Sequence, residues 1–277
     1  MSYFFLLDTL RALHHNVSPQ FCRSELFITM PASNHDFYDI YSRLINEGQG
    51  LPTNLTQAED AVLLLAALLS DLIMVHRAST NFDLAPVDLP DLQTPTSRNP
   101  LPNFNPYVPF SAATESKRMW AQLERGLELW YERFKQCVSE DVLALFHFCR
   151  LFSSYPQVLS LPFRAGYRPA VDTNTSATAP VPGAAVGDAT MRHVWLVVDH
   201  INVERLSDRA VCPVWLPVIT YLTALVMWAN LRTSSTSRLS HGTLKVLGLF
   251  KMELQHVPWP CCTEMIKNLD DLMRVTD

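Results

Sequence analysis

Two histidines late in the chain have the spacing of a metal-binding pair. His193 and His200 are about two helical turns apart, so they share one face of a predicted helix, and Asp199 and Glu204 are close by. Imidazole and carboxylate groups are common ligands of zinc. A polar helix face, on which His200 and Glu204 pair at four-residue spacing, explains the same residues more simply. We therefore predict no metal site here.

Two adjacent aspartates near the C-terminus raise a second possibility. An all-α enzyme of the terpene-cyclase type holds a metal-bound diphosphate between paired acidic clusters, and Asp270 with Asp271 could supply part of one cluster. The third carboxylate is missing, and no partner acidic motif lies upstream. Both aspartates also fall off the apolar stripe of their helix, so we interpret them as residues of a solvated face.

Other catalytic patterns are missing from the sequence. There is no Gly-x-Ser-x-Gly elbow and no His-Glu-x-x-His pair, and the eight glycines are not clustered as a phosphate-binding loop requires. We assign no catalytic, cofactor-binding or metal-binding residue, and we predict that the chain is not an enzyme. The alternative that stays open is an uncharacterised all-α enzyme with an internal apolar pocket.

The cysteines and the first histidines also have simple explanations. None of the six cysteines forms a Cys-x-x-Cys pair or a zinc-finger spacing, which fits buried thiols in a reducing compartment. They are Cys22, Cys137, Cys149, Cys212, Cys261 and Cys262. His14 and His15 end the first predicted helix, where imidazoles interact well with the helix dipole.

The spacing of apolar residues predicts an all-α fold of about nine helices. Ser33 or Asn34 is expected to cap the second helix and Gly48 to end it, while Thr56 and Glu59 form a capping box for the third. Residues 21–30 suit a helix or a strand. The other helices are predicted over residues 3–14, 115–134, 142–152, 190–207, 214–231 and 241–255 and from residue 259 onwards, with a short helical turn at 158–163.

Two predicted helices are apolar on nearly all faces. These stretches, residues 63–69 and 142–152, belong inside the domain, and we expect them to pack against each other. The hydroxyl of Ser139 is placed to cap the second of them. The six tryptophans are also expected in the core. They are Trp120, Trp130, Trp195, Trp215, Trp228 and Trp259.

Two segments lack the pattern of packed helices. Residues 81–110 contain seven prolines, each of which removes a backbone donor, so we predict an extended strap across the surface with apolar anchors. Residues 168–189 are rich in Pro, Thr, Ala and Gly, and we predict a mobile loop. The whole chain, residues 1–277, is expected to be a single domain.

Charge and hydropathy bear on the surfaces that the chain can bind. The formal net charge of -5 argues against a direct grip on nucleic acid, which depends on clustered Lys and Arg. The contrary arrangement is a dimer with a local basic patch of Arg164, Arg168, Arg232 and Arg238. Residues 214–229 form the most apolar run, but this run is too short for a membrane span and contains Pro217.

Five segments carry a resemblance to a known family. They are HDFYDIYSRLI near the start, NPYVPFSAATESKRMWAQLERGLELWYERF and VSEDVLALFHFCRLFSSYPQVLSLPFRAGYRP in the centre, and CPVWLPVITYLTALVMWA and WPCCTEMIKNLDDLM towards the end. Together they resemble the regulatory domain of fungal-specific transcription factors, a large helical region downstream of a zinc-cluster or C2H2 DNA-binding module. The zinc module itself has no counterpart in this sequence.

The resemblance implies a non-catalytic regulatory module without its own DNA contact. Such a module would act in the nucleus, or in the cytoplasm as a free fragment, and could control a metabolic or secondary-metabolite gene cluster. It would work through protein contacts or a small effector. The expected partners are other transcription regulators or co-regulators, or a second copy of the chain.

Overall fold

The computed structural model describes residues 2–21, 28–46, 50–83, 112–167, 186–201, 212–234 and 241–274. Ten α-helices lie in these ranges, and a 3-10 helix, Pro156–Ser160, links the fifth to the sixth. They are α1 (Ser2–His15), α2 (Phe37–Ile45), α3 (Ala58–Asp83), α4 (Ala112–Phe134), α5 (Glu140–Ser154), α6 (Leu161–Arg164), α7 (Asp188–Ile201), α8 (Leu216–Ser234), α9 (His241–Gln255) and α10 (Cys261–Arg274). The described residues form no β-strand beyond one isolated bridge, so the predicted all-α class is confirmed.

The turn before α2 corrects the predicted cap of that helix. The cap is Asp36, whose side chain accepts a hydrogen bond from the backbone N–H of Asp39 at 2.9 Å. Asn34 has a φ of 57° in the tight turn that precedes it. Thr29 and Asp36 form the isolated bridge across this turn, so the described end of residues 21–30 is extended. The helix ends at Ile45, and Gly48 lies outside the described residues.

The predicted cap of α5 is right in position and wrong in chemistry. Ser139 has the extended backbone of an N-cap, but its hydroxyl makes no capping hydrogen bond. The backbone carbonyl of Ser139 accepts from the N–H groups of Val142 and Leu143 instead. Glu140 and Asp141 still place negative charge on the positive end of the helix.

The centre of the core is an aromatic layer between α3, α4 and α5. Trp130 of α4 is fully buried, and its indole Nε1–H donates to the carbonyl of Ala61 in α3 at 2.8 Å. Its ring stacks on Phe146 of α5 with centroids 5.3 Å apart. The predicted packing of α3 against α5 is confirmed, although α3 has its larger contact with α4 and α5 with α7. Buried residues of all ten helices belong to one hydrophobic cluster.

A buried aspartate and a partly buried arginine attach the connecting segments to this core. Asp60 of α3 is buried and accepts from the backbone N–H groups of Ala32 and Ser33. Arg133 of α4 donates to the carbonyls of Leu55 and Pro52, each at 2.9 Å. Because a buried charge is costly without partners, these bonds fix where the segments before α2 and α3 lie.

Several predicted segment boundaries change. Residues 81–83 belong to α3, so the predicted strap does not begin at residue 81. Residues 188–189 belong to α7, so the predicted loop does not extend to residue 189. The rest of both segments lies outside the described residues, apart from residues 186–187. The predicted helix over residues 190–207 is α7, and residues 202–207 are not described. In the described part of the chain, no helix has the length and apolar character to cross a membrane.

The prediction that all six tryptophans lie in the core is wrong for two of them. Trp130 and Trp228 are buried, and Trp120 and Trp215 are partly buried against the core. Trp195 and Trp259 are 45% and 38% exposed. Helical periodicity places a residue on a face, but it does not reveal whether another helix covers that face.

Replacing Leu145 by Ala should lower the free energy of unfolding by about 2 to 5 kcal/mol, because Leu145 is only 1% exposed and its loss leaves a cavity. The partly buried Leu143 of the same helix is the matched control, and Leu143→Ala should cost less. Urea unfolding of both variants measures the difference. Equal costs would contradict the orientation of α5.

Gly126 tests how closely α4 approaches its neighbours, and Gly248 of α9 is the matched control. A Cβ at Gly126 would lie 3.0 Å from Cδ2 of Leu68 and 3.5 Å from the carbonyl oxygen of Leu44, whereas a Cβ at Gly248 would meet nothing within 4 Å. Gly248→Ala should raise the free energy of unfolding by about 0.5 to 1 kcal/mol through helix propensity. Gly126→Ala should lower it by about 1 kcal/mol, because overpacking exceeds that gain. Stabilisation by both alanines would contradict the close approach.

Candidate functional site

Three histidines form a stack between α5 and α7, and we call them the imidazole stack. His147 of α5 lies between His193 and His200 of α7, with ring centroids 5.8 and 5.0 Å away. The rings of His147 and His200 are nearly parallel, with an angle of 7° between them. Nδ1 of His200 lies 2.5 Å from a carboxylate oxygen of Glu140 at the start of α5.

The local sequence explains why the stack forms. The seven-residue spacing of His193 and His200 places both rings on the face of α7 that packs against α5. His147 lies in the apolar run of α5 and is 7% exposed. Sequence reasoning identified the pair on α7 and missed His147. The available signal was a single histidine within an otherwise apolar helix.

Burial keeps two of the three rings neutral. Desolvation, with smaller contributions from His200, His193 and Arg150, lowers the pKa of His147 to about 3. Desolvation and the charge of Arg150 lower the pKa of His193 to about 4. Nδ1 of His147 and Nδ1 of His193 are buried and have no hydrogen-bond partner among the described residues. His147 and His193 are therefore packed as neutral rings at pH 7.

The structure gives His200 a partner on α5, and the predicted pairing with Glu204 is not tested by the described residues. His200 pairs with Glu140 of α5, while Glu204 lies outside the described residues and Asp199 is exposed. Within the described ranges, no group of three or more His, Cys, Asp or Glu side chains is arranged to hold a metal ion. Stacked rings turn their faces to one another, whereas a metal ion needs their nitrogen atoms to converge.

The two aspartates of α10 lie at the surface beside cations. Asp270 accepts from the ammonium group of Lys251 in α9 at 2.6 Å. Asp271 is 3.8 Å from Arg274, one turn further along α10, and both side chains are largely exposed. These contacts match a solvated face.

A second polar network joins α1, α8 and α10 at Tyr167. The hydroxyl of Tyr167 is 2.9 Å from Nε2 of His14, and its ring lies 5.0 Å from that of Tyr221. Tyr221 donates to the side-chain oxygen of Asn268, whose amide donates to the carbonyl of Ala165. Burial, with a smaller contribution from His15, lowers the pKa of His14 to about 4. His14 therefore acts as a neutral hydrogen-bond partner, which corrects the predicted interaction with the helix dipole.

The surface of α1 carries three apolar side chains that no described residue covers. Tyr3, Phe4 and Leu7 are 77%, 66% and 47% exposed, and we call them the α1 aromatic face. Large apolar side chains clustered on an exposed helix are typical of a protein-contact surface.

A shallow groove runs along α4. Its volume is about 350 Å³, and it is lined by Arg118, Ala121, Gln122 and Arg125. It is open to solvent and not enclosed by the protein. The enzyme alternative requires an enclosed apolar pocket, so this groove lends it no support.

Comparisons with protein-family models, with curated proteins and with solved structures gave no match. The chain's function is therefore a proposal that depends on the segments quoted from its sequence and on the geometry of its surfaces.

The imidazole stack predicts that the protein loses stability in acid. Histidines with folded-state pKa values of about 3 and 4 take up a proton on unfolding below pH 6.5, so the free energy of unfolding falls as the pH drops from 6.5 towards 4. The limit is about 1.4 kcal/mol per pH unit for each group. His147→Phe should flatten this profile, as measured by urea unfolding at each pH.

Tyr131→Phe is the matched control for this experiment. The ring of Tyr131 lies 6.2 Å from that of His147, and tyrosine does not titrate in the acid range. This variant should keep the full acid slope. An unchanged slope in His147→Phe would contradict the burial of a neutral ring.

Proposed function

We propose that the chain is a non-catalytic regulatory module of a fungal transcription factor that acts by contacting a co-regulator protein. The observation that carries the contact is the α1 aromatic face. The quoted segments supply the resemblance to the regulatory domain. Nuclear location, control of a metabolic or secondary-metabolite gene cluster and response to a small effector belong to the same proposal.

The α1 aromatic face is held rigidly by the opposite side of its helix. Phe5, Leu6, Leu10 and Leu13 are buried, and α1 packs against α3 and α8. The hydrogen bond between His14 and Tyr167 fixes the C-terminal end of α1. A partner that binds this surface therefore does not bear the entropic cost of ordering the helix, which favours affinity.

Two described arginines that lie beside carboxylates support the proposed absence of a DNA contact. On α4, Arg118 pairs with Glu115, and Arg150 of α5 lies 3.7 Å from a carboxylate oxygen of Glu128. Phosphate contacts require Lys and Arg side chains that are available to replace counterions. Contact with duplex DNA would then come from a separate module, and the isolated chain should show no specific retardation of DNA.

A reporter experiment tests the proposal. The chain is fused to a heterologous DNA-binding domain and brought to a reporter promoter in a fungal host. We expect reporter expression to change several-fold, and the triple variant Tyr3→Ser, Phe4→Ser, Leu7→Ser to lose most of that change. A fusion that occupies the promoter without any effect in either direction would refute the proposed function.

A matched variant separates the α1 aromatic face from general loss of apolar surface. Leu249 and Met252 of α9 are about half exposed, and the double variant Leu249→Ser, Met252→Ser should keep the reporter effect. Equal loss in both variants would contradict the assignment to α1. Sedimentation of the purified proteins identifies a second copy as the occupant if only the α1 variant changes a dimer into a monomer.

A further inference from the structure

Helix α7 is attached to α5 along its length, and its opposite side faces solvent. Near the start of α7 the hydroxyl of Thr190 donates to that of Ser154 at 3.0 Å, and near its end His200 lies 2.5 Å from Glu140. Because Ser154 ends α5 and Glu140 begins it, the two helices are antiparallel. The described helices with a substantial contact to α7 are α5 and, to a smaller extent, α8. The solvent side of α7 carries the exposed residues Arg192, Trp195 and Asp199.

Two imidazole nitrogens inside this contact have no partner. Nδ1 of His147 and Nδ1 of His193 are buried, and neither makes a hydrogen bond with a described residue. The two rings lie 5.8 Å apart, and the ring of His200 lies 5.0 Å from that of His147. A neutral imidazole has one N–H donor, whereas an imidazolium has two. Protonation would therefore bury a charge and leave the Nδ1–H donor of each ring unsatisfied.

The groups that face the two unpartnered rings do not favour protonation. Arg150 of α5 faces both rings, and Arg192 and His200 of α7 each face one of them. Tyr131 of α4 has its ring 6.2 Å from the ring on α5, and tyrosine does not titrate in acid. The carboxylate of Glu140 contacts His200 and neither of these two rings. No described titratable group of α3, α8 or the 3-10 helix lies close enough to shift the pKa of either ring.

The packing on the other side of α5 does not depend on protons. Trp130 stacks on Phe146, and its indole N–H donates to the carbonyl of Ala61. None of these groups takes up a proton between pH 7 and pH 4. His14 of α1 and His76 of α3 also have lowered pKa values, but neither faces the two unpartnered rings. Within this part of the fold, acid therefore acts on the contact of α5 with α7 and spares its contact with α4.

We propose that the imidazole stack is an acid-operated switch: when His147 and His193 take up protons, α7 separates from α5 while the aromatic layer stays packed. Separation brings both rings into water, where their charge is solvated. It also uncovers the apolar side of α7, on which Val194, Val197 and Ile201 are buried. The pH thus sets how often this apolar side is available for binding. The switch does not depend on the co-regulator contact of α1.

The direction and size of the pH effect follow from linkage. The rings have folded-state pKa values of about 3 and 4 and an ordinary value of 6.5, so the separated state binds more protons below pH 6.5. The equilibrium constant for separation therefore rises as the pH falls. Between pH 7 and pH 5 the rise is roughly twenty-fold for each ring and several hundred-fold for both.

Amide hydrogen exchange of the full chain tests the switch. Exchange is followed by peptide mass spectrometry at pH 7, 6 and 5, and each rate is divided by that of an unstructured peptide at the same pH. We expect the protection of residues 194–201 in α7 to fall several hundred-fold from pH 7 to pH 5. Residues 63–69 of α3 should remain at least ten-fold better protected than α7 at pH 5. Equal protection of the two helices at pH 5, or pH-independent protection of α7, would overturn the proposal.

A double variant isolates the two rings. His147→Phe with His193→Phe keeps aromatic side chains that cannot be protonated, so α7 should lose nearly all of its pH dependence. His14 and His76 remain in this variant, and any slope that comes from them would survive. Tyr131→Phe is the matched control and should keep the full several hundred-fold change. If the double variant does not fold, His193→Leu alone should reduce the change roughly twenty-fold, and a full change in that variant would refute the switch.

Discussion

The arrangement of the core depends on the indole of Trp130. Its N–H group bonds to the carbonyl of Ala61 in α3, and its ring stacks on Phe146 in α5, so one side chain of α4 sets the positions of two other helices. Few alternatives are open to a buried indole, since its N–H must find an acceptor and its ring prefers an offset-stacked or edge-to-face neighbour. Phe146 in turn stacks on Tyr131, which completes the aromatic layer.

This layer also decides which way the next residue of α5 points. His147 follows Phe146, and consecutive helical residues are turned by about 100°, so fixing Phe146 against α4 directs His147 towards α7. The imidazole stack is thus a consequence of core packing. Its position does not require that the histidines have a ligand.

The sequence predicted the elements better than their partners. Helical periodicity identified α4 and α5 and the apolar faces of α2 and α10, because local spacing determines which residues share a face. Two features depended on contacts distant in sequence. His200 pairs with Glu140, sixty residues earlier. Trp195 is exposed because no helix packs over its face of α7 in the described chain, and no local pattern reveals this. Asp36 was missed as a cap because several residues near it could serve equally well.

The contact between α5 and α7 combines stabilising apolar burial with destabilising unpartnered polar atoms. Val194, Val197 and Ile201 of α7 are buried in the core and supply apolar stabilisation. Two imidazole nitrogens are also buried there without partners in the described chain, and each such atom costs about 1 to 3 kcal/mol. Protonation would add charge to an interface that already contains Arg150. Apolar packing must therefore outweigh the cost of the unpartnered nitrogens and the cost of any added charge for α7 to stay in place. The largest helix contact in the described fold therefore depends on His147 and His193 staying neutral.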